Sequence, residues 1–130
     1  MPLIVVMEDD AGTRMLVASV LKKDGYEVLA AENGLLGLQM VRESRPDLII
    51  SDIQMPELDG LECTRRWRAK EQERGGAALH IVAMTANAMA SDEAACRAAG
   101  MSGFLSKPID VSRLRALLAS IASETQSSVA

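Results

Sequence analysis

Three short apolar runs, Leu3–Met7 ("LIVVM"), Asp47–Asp52 ("DLIISD") and Leu79–Met84 ("LHIVAM"), are almost unbroken by polar residues, and a stretch of helical spacing follows each. Runs this short, rich in Ile and Val, read as strands buried on both faces. Burying both faces of a strand requires a sheet covered by helices on its two sides. That restricts the chain to an α/β architecture.

The segments between these runs complete the pattern. Arg14–Lys23 carries Met15, Leu16, Val20 and Leu21 at helical intervals, and Gly25 stops it after Lys22 and Lys23. Tyr26–Ala30 reads as a second strand. Asn33 is placed to cap a helix reaching Ser44 through Leu35, Leu36, Leu38 and Val41. Gly60–Arg74 is the third helix, with Leu61, Thr64 and Trp67 on one face, and Gly75-Gly76 ends it. Ala88–Ala99 is the fourth helix and Gly103–Ser106 a short fifth strand. Asp110 caps a last helix carrying Leu114, Leu117, Leu118 and Ile121. Five β-then-α units with short, right-handed connections give a doubly wound parallel sheet in the order 2-1-3-4-5, helices on both faces. Its topological switch point lies between strands one and three, and ligands bind there, beyond the carboxyl ends of the strands.

At 130 residues the chain suits one domain. With 48% hydrophobic but only 2% aromatic residues, its core must be aliphatic, with Trp67 read as part of it. The domain is expected over 1–123, with 124–130 a polar, disordered tail; such a tail suits a complete small protein or a domain cut from a larger one. A net charge of -4 without a basic cluster argues against nucleic-acid binding. No run approaches the roughly 18 apolar residues needed to span a bilayer, and no basic leader precedes the first strand. Cys63 and Cys96 lack the close Cys/His spacing of a zinc site and read as reduced thiols of a cytoplasmic protein.

In that topology Glu8, Asp9 and Asp10 leave strand one at the edge where Asp52 leaves strand three. Packed carboxylates repel and raise one another's pKa unless a cation sits among them. An all-oxygen donor set without His or thiolate suits Mg²⁺ or Mn²⁺. Thr85 just past strand four and Lys107 just past strand five face the same crevice. A hydroxyl and an ammonium beside a metal-binding acid cluster suit a phosphoryl group.

Over residues 2 to 123 the chain resembles the receiver (CheY-like response regulator) domain of two-component signalling, a flavodoxin-like (βα)5 fold. The resemblance is carried by "VVMEDD", "DLIISDIQMPELDG", "IVAMTANA" and "GFLSKPI", in that order. It implies that Asp52 accepts phosphate, that Glu8 and Asp9 hold Mg²⁺ with Asp52 and the Gln54 carbonyl, and that Thr85 and Lys107 are the switch hydroxyl and the phosphate-pairing lysine. It also makes Lys107-Pro108 a candidate cis peptide. The implied donor is a phosphohistidine on a histidine kinase or histidine phosphotransfer domain, and the implied output is the face made by the fourth helix, the fifth strand and the last helix, on a monomer or a weak dimer through that face. The wording of the loops is similar to receivers of hybrid sensor histidine kinases. Four positions depart from the commonest pattern, one of them Trp67, where an aliphatic core residue of the third helix is more usual. Glu8 stands where many receivers have Asp, and its extra methylene favours a water-mediated metal contact. Phe104 stands where Tyr is frequent, excluding a hydroxyl contact. Asp10 lies beyond the acid pair and is expected to be loop-solvated. Met55-Pro56 and Asp59-Gly60 shape the loop after Asp52.

Two other readings use the same residues. A metal-dependent aspartyl phosphotransferase or phosphatase would use the acid cluster, but such enzymes carry a second Asp two residues after the nucleophile, where this chain has Gln54. A partner-binding pseudo-receiver would lack an acid, the Thr or the Lys, and none is missing.

Overall fold

The computed structural model describes residues 3–53, 60–74, 79–85, 90–107 and 109–129. Strands and helices alternate throughout: β1 (Leu3–Met7), α1 (Ala11–Lys23), β2 (Glu27–Ala31), α2 (Gly34–Ser44), β3 (Leu48–Asp52), α3 (Gly60–Arg74), β4 (His80–Thr85), α4 (Ala90–Ala99), β5 (Gly103–Ser106) and α5 (Val111–Val129). The five strands are parallel in the order β2-β1-β3-β4-β5, the order expected from the sequence.

Alternation along each strand divides the core into two layers. Val5, Met7, Ile49, Ile81 and Ala83 point to one side, where Leu38 and Val41 of α2, Cys63 and Trp67 of α3 and Cys96 of α4 cover them. Ile4, Val6, Leu48, Ile50, Val82 and Met84 point to the other, under Val17 and Leu21 of α1 and Leu114 and Leu118 of α5. Trp67 is buried, as its helical spacing implied, and Cys63 and Cys96 are buried thiols not joined in a disulfide. α2 lies so close to β1 that a Cβ on Gly37 would fall 2.5 Å from the Met7 side chain. Any side chain there would require the Met7 side chain or the helix to shift.

Two boundaries differ from the sequence reading in ways that matter. α1 begins at Ala11, three residues before Arg14, because Asp10 is its N-cap and accepts from the Thr13 amide at 2.8 Å. The expectation that Asp10 is simply loop-solvated is thereby corrected: it is exposed, but it starts a helix. At the other end α5 continues to Val129, through the segment whose polar composition suggests a tail; neither Gly nor Pro follows Asp110 to stop it.

Candidate functional site

The site forms where β1 and β3 end side by side. Met7 pairs in register with Ser51, so the next residues, Glu8 and Asp52, leave adjacent strands at the same level. The Glu8 amide still bonds the Ala31 carbonyl at 3.0 Å, and the Ile53 amide bonds Met84 at 3.1 Å, so the sheet ladder holds both acids in place. Glu8 and Asp52 are buried while Asp9 is exposed. One carboxylate oxygen from each lies within 4.8 Å of the others.

Lys107 follows β5 and reaches across this cluster. Its amide donates to the Thr85 carbonyl at 2.7 Å, which ties the end of β5 to that of β4. Its Nζ donates to Glu8 Oε1 and Asp52 Oδ2, both at 2.9 Å. Burial opposes the charge on Lys107, but bonds to Asp52 and Glu8 outweigh it and hold the ammonium's pKa above its ordinary value. Glu8 moves the other way: burial, reinforced by the Asp52 charge, pushes its carboxyl from 4.5 up to about 7 against the pull of Lys107. Among the described side chains, the Lys107 ammonium bridges Glu8 and Asp52, and Asp9 adds a third carboxylate to the cluster.

Glu8 Oε2 is buried and, among the described residues, has no hydrogen-bond partner, a costly state for a carboxylate oxygen. An oxygen without a partner among the described residues and two further carboxylates within reach fit a hard divalent cation with oxygen ligands.

Among the other residues singled out from the sequence, Thr85 is buried at the end of β4, in register with Ser106. Phe104 pairs with Ala83 two residues earlier and packs on the Ile81 and Ala83 side of the sheet, the side to which alternation also assigns Thr85. Gln54, Pro108 and the Met55 to Asp59 loop lie outside the described residues.

Arg14 was not legible as a site residue. Its Nη1 donates to the Glu8 carbonyl at 2.8 Å and to the Asp9 carbonyl at 3.5 Å. A helix starting at Arg14 would make this residue a first-turn surface cation. The actual start at Ala11 turns it back over the end of β1.

Comparison with known proteins agrees with this geometry. The model of the response regulator receiver domain matches residues 4–119. The chain is 38% identical over 110 residues to the polar-differentiation response regulator DivK of Brucella anthropi, covering 85% of this chain and 87% of that protein. It is 37% identical over 113 residues to the sensor protein GacS of Pseudomonas syringae, covering 87% of this chain but 12% of GacS. A crystal structure of the receiver domain of a sensor histidine kinase from Pseudomonas aeruginosa, with a magnesium ion coordinated in its active-site cleft, superposes with a TM-score of 0.80 at 32% identity, covering 90% of this chain and 93% of that one.

Proposed function

This chain belongs to the response regulator receiver domain family, and from that premise we propose that Asp52 takes a phosphoryl group from a phosphohistidine and that the α4-β5-α5 face responds. The observation that carries the proposal is Lys107 Nζ bridging Glu8 Oε1 and Asp52 Oδ2 beside an unsatisfied Glu8 oxygen. A structural ion pair would satisfy its acids; this one leaves Glu8 Oε2 without a partner among the described residues.

Glu8, Asp9 and Asp52, with the Gln54 carbonyl, are the residues that would hold Mg²⁺. Bound there, the ion would offset negative charge on the acids and the incoming phosphoryl oxygens. The chain's own groups supply the rest. An Asp52 carboxylate oxygen attacks phosphorus, the new O–P bond forms as the N–P bond breaks, and the bonding pair stays on the imidazole nitrogen. Lys107, already on Asp52, needs only to transfer its hydrogen bond to a phosphoryl oxygen to pair with the product. The hydroxyl of Thr85 is then drawn toward the phosphoryl group, and Phe104, two residues earlier on the neighbouring strand, moves into the space released. The Mg²⁺-bearing cleft of the Pseudomonas aeruginosa receiver domain supports this assignment.

The donor is a histidine kinase or histidine phosphotransfer protein, the partners of receiver domains. Relatives such as DivK and GacS support equally a separate regulator and a kinase-borne receiver. Location in the cytoplasm is consistent with the absence, among the described residues, of a helix long and apolar enough to cross a membrane.

Acetyl phosphate with Mg²⁺ tests the acceptor. Intact-mass measurement should show one added phosphoryl group on the wild type and none on Asp52→Asn. Equal labelling of both proteins would move the acceptor to another acid.

A further inference from the structure

Of the four acids at this edge, three are held by their side chains. Glu8 is gripped through Oε1 by Lys107 and by the Asp10 amide at 3.2 Å. Asp52 is gripped by Lys107. Asp10 is fixed as a helix cap by the Thr13 amide and hydroxyl, both at 2.8 Å. Asp9 is different. It is exposed, and its carboxylate has no hydrogen bond or ion pair with any described residue, so its direction depends on the backbone that carries it.

That backbone leaves β1 with two carbonyls, Glu8 and Asp9, on either side of the Asp9 α-carbon, and one guanidinium nitrogen reaches both. Fixing the two flanking peptide planes fixes the Cα–Cβ direction between them. Arg14 itself is anchored, since its amide donates to the Asp10 carbonyl at 2.9 Å in the first turn of α1. We infer that Arg14 is a positioning residue for metal binding: by clasping the Glu8 and Asp9 carbonyls it holds the unpartnered Asp9 carboxylate at the Mg²⁺ site. This rests on the reading of the acid cluster as that site.

The inference carries a sign that pure electrostatics would reverse. A guanidinium beside the cluster repels an arriving cation, so if Arg14 acted only through its charge, removing it would strengthen Mg²⁺ binding. If it acts by orienting Asp9, removing it weakens binding. Partners that orient metal ligands typically contribute about tenfold or more in affinity.

The test is Mg²⁺ titration of wild type, Arg14→Leu, Arg14→Gln and Arg14→Lys, followed by the amide NMR signals of residues 8 to 10, 52 and 53. Arg14→Leu should bind Mg²⁺ about tenfold more weakly. Arg14→Lys, which keeps a donor on a long stem, should recover most of the loss. With each protein saturated in Mg²⁺, labelling of Asp52 by acetyl phosphate should proceed at the wild-type rate, because the defect lies in metal affinity. Arg14→Gln replaces the leucine variant as the readout should the latter not fold. Unchanged or tighter Mg²⁺ binding in a folded Leu or Gln variant overturns the inference, as does a loss of labelling rate that saturating Mg²⁺ does not restore. Failure of the wild type itself to bind Mg²⁺ at these residues would instead overturn the reading of the site.

Discussion

Glu8 is the residue on which binding and stability pull in opposite directions. Its folded pKa of about 7 lies above its ordinary 4.5, so the folded state keeps a proton that the unfolded chain gives up. Without metal, its contribution is complete below pH 4.5 and is lost as pH rises through 7. Glu8→Gln keeps an acceptor for Lys107 and removes the buried charge facing Asp52. The metal-free variant should therefore melt a few degrees higher than wild type at pH 8 and no higher at pH 4, while binding Mg²⁺ more weakly. Thermal melts at the two pH values, with and without Mg²⁺, check this. A variant less stable at pH 8 without metal would mean that attraction to Lys107 outweighs burial. Asp10 and Arg14 teach a related lesson: the sequence placed both next to the acids, but their roles depended on where α1 begins, and Asp10 itself sets that point.

Between elements, the α3, β4 and α4 corner is joined by a half-buried polar network that no motif marked. Glu71 accepts from the Trp67 indole at 3.0 Å, the Leu79 amide at 2.7 Å and Arg68 Nη1 at 2.6 Å. Arg68 also donates Nε and Nη2 to the Gly100 carbonyl, at 2.9 and 2.7 Å, just past the end of α4. Gly100 has φ +104°, and a Cβ there would meet Arg68 Cγ at 2.9 Å, so backbone conformation and close approach both call for glycine. Truncating Glu71 leaves an indole N–H and a backbone N–H without their acceptor. Because the network is half-buried, each unsatisfied group should cost near the low end of about 1 to 3 kcal/mol, so Glu71→Ala should lower stability by about 2 kcal/mol, and Glu71→Gln by less. Urea unfolding followed by Trp67 emission measures it. A loss below about 0.5 kcal/mol would show that water replaces the carboxylate at no net cost.

Across the whole molecule, on the proposed function, metal, proton and folding are linked through the cluster of Glu8, Asp9 and Asp52. A ligand that binds only the folded state stabilises it by RT ln(1 + [L]/Kd), about 1.4 kcal/mol at ten times Kd. Holding Mg²⁺ requires Glu8 ionised, so with a carboxyl titrating at about 7 the apparent affinity should fall about tenfold from pH 8 to pH 6. The same Mg²⁺ concentration then adds only about 0.4 kcal/mol at pH 6. Differential scanning calorimetry at both pH values, over a Mg²⁺ series, checks the prediction. Equal stabilisation at pH 6 and pH 8 would take Glu8 out of the metal site.

Apolar runs at periods of two and 3.6 residues, punctuated by Gly25, Asn33, Gly75 and Asp110, were enough to determine the order of elements and the strand order of the sheet. Both rest on local propensity and on the burial that parallel strands require. The convergence of Glu8, Asp52 and Lys107 was legible for the same reason, since residues at the carboxyl ends of neighbouring parallel strands must share one edge. Tertiary structure alone decided what depends on distance between groups far apart in the chain or on a boundary shifted by one helical turn. The depth of burial that raises the Glu8 pKa comes from strands and helices closing over it. The hold of Arg14 on two carbonyls follows from the start of α1, and the network from Trp67 to Gly100 joins residues with no shared pattern. Propensity acts within a few residues, whereas hydrogen bonds and desolvation act through space. The chain's pattern therefore determined the frame, and packing decided how each charge in it behaves.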